Sequence, residues 1–189
     1  MKKVYTSSNV SLLRNREVFF DANIFIFNFW PTLSKNQRAE KYSKTTKILL
    51  QQKTRFLIDF TVVSEVINYA LRTEYTKYLQ ERELTQKDFG FKWYRDSSEG
   101  RNAIGDIYQT VRITIGKIFN VVGKCFTQSD IERFLNVEEL DFSDKAILSI
   151  CKENGCVLFT DDADFTNSPI EILTLNKRII NKRKRLYVS

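Results

Sequence analysis

The chain has 189 residues, enough for one domain carrying an insertion, and 42% of them are hydrophobic, including 15 Phe and 8 Tyr, so a largely aromatic core is expected. It contains no histidine, which excludes Ser-His-Asp and Cys-His catalysis and histidine-based zinc sites. The formal net charge is +7, and carboxylates with a hard, oxygen-seeking cation are left as the natural carriers of any catalysis.

Residues 1–16 are polar and basic, without clear periodicity. Val18-Phe19-Phe20 is a short apolar run suited to a buried strand, and it ends at Asp21. Asn23 to Trp30 stays apolar until Pro31, which predicts a helix or irregular turn, and a further helix is expected from about Asn36 to Lys53. Phe56-Leu57-Ile58, closed by Asp59, reads as the next strand. From about Thr61 to Arg82, Val62, Val63, Val66, Ile67, Ala70, Leu71, Tyr78 and Leu79 recur near helical spacing.

Residues 84–100 mix aromatic and charged positions, and Ile104, Ile107, Tyr108, Val111, Ile115 and Ile118 follow an i, i+3, i+4, i+7 series. Together, about 84–118 reads as a helical insertion in a single domain spanning 1–189. Most of its aromatics are expected in the core. Lys87, Lys92, Arg95 and Arg101 are available for phosphates. Ser129-Asp130-Ile131-Glu132 has the form of a capping box and predicts a short helix. Asp144 opens a helix whose Ala146, Ile147, Ile150 and Cys151 share one face, with Gly155 as its stop. Cys156 to Phe159 is a buried-strand run, followed by Thr160-Asp161-Asp162-Ala163-Asp164-Phe165, and Ile170 to Leu175 is a last strand.

The segment 176–189 is a basic C-terminal tail with no acid beyond Glu171. It reads either as a solvated segment or as a phosphate-attracting arm, with Lys182, Arg183, Lys184 and Arg185 as nucleic-acid contacts. No signal-peptide pattern or membrane-length apolar run is present. Cys125, Cys151 and Cys156 form no CxxC pair and read as reduced, buried cysteines of a cytoplasmic protein.

Short apolar strands alternating with helices predict an α/β fold around a parallel sheet. Asp21 directly follows one strand and Asp162 lies two residues past another, where open parallel sheets place their ligands. Glu65 and Asp144 sit in the opening turns of helices near the same rim. Several carboxylates about 5 Å apart would repel by roughly 3 kcal/mol per pair at an effective dielectric near 20, and a divalent cation relieves that cost. Oxygen-only ligands favour Mg²⁺ or Mn²⁺. Each acid also has an ordinary alternative: Asp141 and Asp144 as helix N-terminal acids, Asp162 and Asp164 as turn residues, Glu65 as a solvated helix position.

Val18-Phe19-Phe20-Asp21-Ala22-Asn23, Ser64-Glu65, the Asp144 helix, and Val157-Leu158-Phe159-Thr160-Asp161-Asp162-Ala163-Asp164-Phe165 occur in this order over about residues 17–175. In this pattern the chain resembles the PIN-domain family, and is longer than its small VapC-like toxins. The resemblance implies a three-layer fold with a central parallel sheet between helices. It also implies metal-dependent cleavage of RNA phosphodiesters, leaving 5′-phosphate and 3′-hydroxyl ends, with single-stranded or looped RNA as substrate. It casts Asp21, Glu65, Asp144 and Asp162 as catalytic acids and these four with Asp164 as ligands of Mg²⁺ or Mn²⁺, and either Asp161 or Asp164 can share the role of Asp162. Asn23 and Thr160 orient those carboxylates, either in that role or as local turn and cap residues. Toxin members of the family bind a cognate antitoxin and many members form homodimers, so both partners are expectations here. The competing readings are a structure-specific DNase, a non-catalytic nucleic-acid-binding module and a phosphoacceptor receiver domain. Glu65 and the insertion do not fit the last.

Overall fold

The computed structural model describes residues 3–30 and 37–185, with the side chains of residues 184 and 185 outside that description. Its centre is strand β2 (Glu17–Phe20), whose Val18, Phe19 and Phe20 are wholly buried. Such a run without alternation is what a parallel strand covered on both faces requires. Beside it lie β3 (Arg55–Ile58) on one side and β5 (Val157–Phe159) on the other. Beyond β3 comes β4 (Phe119–Val121), and beyond β5 come β6 (Ile172–Leu173) and β1 (Val4–Tyr5). The order is β1-β6-β5-β2-β3-β4 and every pairing is parallel. The expected α/β architecture, a parallel sheet flanked by helices, is therefore the one observed.

Among the described residues, the helices that follow strands or link them include α1 (Ala22–Phe29), α2 (Gln37–Gln51), α3 (Phe60–Glu81), α5 (Ser98–Ile118), α6 (Gln128–Phe134) and α7 (Phe142–Asn154). Asp59 caps α3 by accepting from the Val62 amide at 2.9 Å, and Gly155 closes α7 in a left-handed conformation, φ 60°. The cap of α6 is Thr127 rather than Ser129. Its hydroxyl accepts from the Asp130 amide while the Asp130 carboxylate accepts from the Thr127 amide, so the reciprocal box starts two residues earlier than expected. Pro31 and Asn36, the expected break and helix start, lie outside the described residues.

A ring cluster fills the sheet–helix interface. Phe20 has Phe56, Phe119 and Phe159 at centroid distances of 4.5, 5.1 and 5.3 Å. The helical excursion is α5 together with α4 (Phe91–Asp96), both packed on α3. Its aromatics do fill a secondary core: Tyr94 packs between Tyr75 and Tyr78, and Phe91 stands edge-on to Tyr75. Trp93 and Tyr108 are exposed. A side chain at Gly100 would collide with the Tyr94 carbonyl, so α5 can approach α4 only with glycine there. Arg95 is held by Asp96.

Three expectations need correction. The segment read as a tail forms helix α8 (Lys177–Arg185) as far as it is described. Cys125 is exposed, whereas Cys151 and Cys156 are buried. The third concerns Arg183, which belongs with the site below. No described helix is long and apolar enough to cross a membrane.

Candidate active site

The strand order reverses between β2 and β5: the chain passes from β2 outward through β3 to β4, then returns to the other side of β2. At that switch point the loops after two neighbouring strands diverge and leave a crevice at their carboxyl ends. Phe20 and Phe159 are in register, so Asp21 and Thr160 emerge side by side. The Thr160 hydroxyl donates to Asp21 Oδ2 at 2.5 Å and accepts from the Asp162 amide at 2.9 Å. Asn23 Nδ2 donates to the same Asp21 oxygen at 2.6 Å, while Asn23 Oδ1 accepts from the Asp161 amide at 3.1 Å. Asp21 Oδ1 accepts from the Ala22 amide, capping α1. Asn23 and Thr160 thus tie the two loops together and fix the Asp21 carboxylate from both sides.

The crevice opens into a cleft of about 530 Å³ lined by Asp21, Glu65, Asp141, Asp144, Asp162 and Asp164, and no basic residue lines it. Asp144, Asp162 and Asp164 each offer a carboxylate oxygen within 4.8 Å of the others. Asp21 and Glu65 line the same cleft outside that tight group. Among the described residues the carboxylates of Glu65, Asp144 and Asp164 accept no hydrogen bond and form no ion pair. Asp141 accepts from the Asp144 amide at 2.8 Å and caps α7, so its predicted structural role holds while it also adds negative charge to the rim.

Crowding of like charges leaves its mark on proton affinity. Loss of hydration, then the carboxylates of Asp141, Asp21, Asp162 and Asp164, push the Asp144 carboxyl up to about 7. Asp21, almost wholly buried, is pushed up to about 6 by desolvation, against the lowering pull of Thr160, Ala22 and Asn23. Glu65 is raised by desolvation and then by Asp141 and Asp162. Oxygen-only donors, three of them converging and none neutralised by a cation of the chain, suit a hard divalent cation.

Asp161 parts company with its neighbours. Its carboxylate accepts from the Tyr42 hydroxyl at 2.5 Å and pairs with Arg38 Nε at 2.7 Å, on the side away from the cleft. The Asn176 amide holds its carbonyl at 2.6 Å. Tyr42, stacked on Phe27, is the aromatic residue whose polar end decides this. Nothing in the linear pattern marks it out as Asp161's partner.

Arg183 is fully buried and cannot contact a nucleic acid. Its guanidinium donates to the carbonyls of Phe165, Thr166, Ser168 and Ile170 at 2.7–3.1 Å and to the Ser168 hydroxyl at 3.0 Å. It therefore clamps the 3₁₀ turn Ala163–Asn167, which carries Asp164 and is capped by Asp162. One face of an amphipathic α8 supplies this buried group. Lys182 on the same helix is exposed, and the side chains of Lys184 and Arg185 lie outside the described residues.

No family model and no curated protein matches the chain. Among solved structures it is similar, at a TM-score of 0.46 and 14% identity, to a chain in the crystal structure of VapBC2 from Rickettsia felis bound to a DNA fragment from their promoter; the match covers 83% of this chain and 96% of that one. A likeness of this size carries no weight in the functional reading below.

Proposed function

We propose that the protein is a metal-dependent endoribonuclease of PIN type. The observation that carries the reading is the convergence of Asp144, Asp162 and Asp164, with Asp21 and Glu65 beside them, in a cleft without basic residues at the switch point of a parallel sheet. Asp144, Asp162 and Asp164 would hold Mg²⁺ or Mn²⁺, with Asp21 and Glu65 completing the acidic set. Such a cation supplies Lewis acidity and positive charge to the scissile phosphate. Asp21 is oriented by Thr160, Asn23 and the Ala22 amide before any substrate arrives, so no reorganisation is needed at the moment of reaction. Glu65, raised in proton affinity and with a carboxylate that accepts no hydrogen bond among the described residues, can take a proton from the attacking water. Water oxygen bonds to phosphorus as the in-line P–O3′ bond breaks, and the departing 3′ oxygen takes a proton from solvent, leaving 5′-phosphate and 3′-hydroxyl ends.

Phe60 supports a nucleic-acid substrate over other phosphodiesters. It opens α3, lines the cleft and is 81% exposed, so its ring offers a stacking face to an unpaired base beside the acids. A stacking platform of this kind favours a single-stranded or looped nucleic acid, and RNA follows from the family resemblance. An antitoxin partner and a homodimer are carried by the family resemblance and belong to the same proposal.

The test is cleavage of matched single-stranded RNA and DNA oligonucleotides by the purified chain with Mn²⁺ or Mg²⁺. RNA cleavage that EDTA abolishes and Asp144→Asn removes is the expected result. Cleavage that persists under both would overturn the proposal, and a preference for DNA would move it to the DNase alternative.

A further inference from the structure

A cleft lined by six carboxylates repels the polyanion it is proposed to cut. A cation offsets this at the scissile phosphate, but the flanking backbone needs positive charge from the chain itself. Two described pockets contain several basic residues. In the one of about 540 Å³ between α6 and α7, three of the four cations are already matched by acids: Lys124 and Arg133 pair with Asp130, and Lys145 pairs with Glu138 and donates to the Phe134 carbonyl, which leaves Lys152.

The other pocket, about 460 Å³, lies between the start of α2 and the start of α8. Arg38, Lys41, Lys177 and Arg178 line it and no acid does. Lys41, Lys177 and Arg178 are exposed and form no ion pair among the described residues. Its floor is built from buried polar groups in fixed positions. The Tyr42 hydroxyl accepts from the Leu175 amide at 3.0 Å, and Asn176, buried, caps the Arg178 amide at 3.0 Å. The opening turn of α8 adds the positive end of its dipole. The pocket also adjoins the cleft through a single peptide unit: Arg38 grips the carboxylate of Asp161, and the next residue, Asp162, lines the acidic cleft.

We propose that this pocket is a phosphate subsite that holds a backbone phosphate of the nucleic-acid substrate flanking the one to be cleaved. The inference rests on the nuclease reading for its substrate, and its ligand chemistry is a phosphodiester anion. Arg38 links the subsite to the Asp161–Asp162 loop, so a bound phosphate and the acidic cluster share one rigid support.

The experiment measures binding of a fluorescein-labelled single-stranded RNA by anisotropy in EDTA, over a series of salt concentrations. Three forms are compared: the native chain, Lys41→Gln/Arg178→Gln, and the charge-matched control Lys47→Gln/Lys152→Gln. Both control residues are exposed, one on α2 and one in the α6–α7 pocket. The pocket pair is expected to bind about tenfold more weakly at moderate salt, with a log–log salt slope shallower by about 0.7, the value for one lost phosphate contact on a single strand. The control pair is expected to change affinity less than about twofold. Mn²⁺ affinity should be the same in all three, which excludes damage to the acidic cleft. Equal weakening by both pairs, or no measurable RNA binding by the native chain, overturns the subsite. Cleavage with normal binding by the pocket pair also overturns it while leaving the nuclease reading intact. Pocket-dependent RNA binding without any metal-dependent cleavage would do the reverse.

Discussion

Asp161 and Asp162 are adjacent in sequence and face opposite surroundings. On one side of the β5 end, Asp161 meets the Tyr42 hydroxyl and the Arg38 guanidinium, and its charge has a partner. On the other, Asp162 joins acids whose carboxylates crowd one another; burial raises the proton affinity of Asp161, Asp144 and Glu65 alike, but Tyr42 and Arg38 pull Asp161 back whereas neighbouring carboxylates push Asp144 and Glu65 further up. Paired, hydrogen-bonded carboxylates stabilise a native state, whereas converging unpaired ones destabilise it until protons or a cation intervene. The contrast separates a carboxylate that builds the fold from those the proposed reaction uses, although Asp161 and Asp162 lie in the same Thr160–Asp164 segment.

Substitution on each side tests that contrast most severely. Asp144→Asn should lower RNA cleavage by about 10²–10³-fold in single-turnover assays. Its Tm in metal-free buffer at pH 8 should match or exceed that of the native chain, because a repelled charge is removed. A large loss of metal-free stability would mean that Asp144 is a structural acid after all.

Arg183→Met should cost about 3 kcal/mol by leaving several buried carbonyls without their donor. At this chain length that lowers Tm by about 6–12 °C. Lys182→Met, one residue away and exposed, should move Tm by no more than about 2 °C. Equal effects would show that the clamp on the Ala163–Asn167 turn is dispensable.

The pH dependence comes next. Asp144 and Asp21 have proton affinities raised to about 7 and about 6, so the folded state binds more protons than the unfolded one between about pH 4 and 7. Metal-free stability should therefore fall as pH rises through that window. Asp144 is partly exposed and its share is screened, so a combined loss of about 1–3 kcal/mol between pH 5 and pH 8 is expected, read as a fall in Tm. Saturating Mn²⁺ at pH 8 should restore it, and Asp144→Asn should flatten the profile. A metal-free Tm that rises over this range would contradict the repulsion.

Asp161→Asn keeps its size but loses the charge paired with Arg38, and should cost about 1–2 kcal/mol in denaturant unfolding while reducing cleavage less than about tenfold. Phe60→Ala should have the smallest effect on the chemistry: KM for RNA should rise by about one order of magnitude with kcat nearly unchanged, as expected for a lost stacking contact. A fall in kcat with unchanged KM would instead place Phe60 with the reacting groups.

Much of this architecture is legible in the linear chain. Val18–Phe20, Phe56–Ile58 and Val157–Phe159 are apolar at every position, as central parallel strands must be, and acids follow all three directly or nearly so. The edge strands are not readable in the same way. Val4–Tyr5 is only two residues long, and β4 follows α5 with no break in the apolar series through Ile115, Ile118 and Phe119, whereas Ile172–Leu173, inside the sheet, falls within the strand expected at Ile170 to Leu175. The capping residue of α6 was displaced because Thr127 and Ser129 can both start a box, and only the backbone path selects between them.

What the sequence determines by itself is the set of buried strands, the absence of any histidine chemistry and the placement of Asp21, Glu65, Asp144 and Asp162 near strand or helix ends, because periodicity and residue type are local properties. Three questions were decided by tertiary structure alone. Asp161 turned away because Tyr42 and Arg38, more than a hundred residues earlier, wait on its other side. Asp164 joined Asp144 and Asp162 because the turn that carries it is clamped by Arg183. Arg183 itself left the basic surface for the interior because α8 folds back on that turn. In each case the partner is distant in the chain, and charge pairing and hydrogen-bond satisfaction are decided by distance in space.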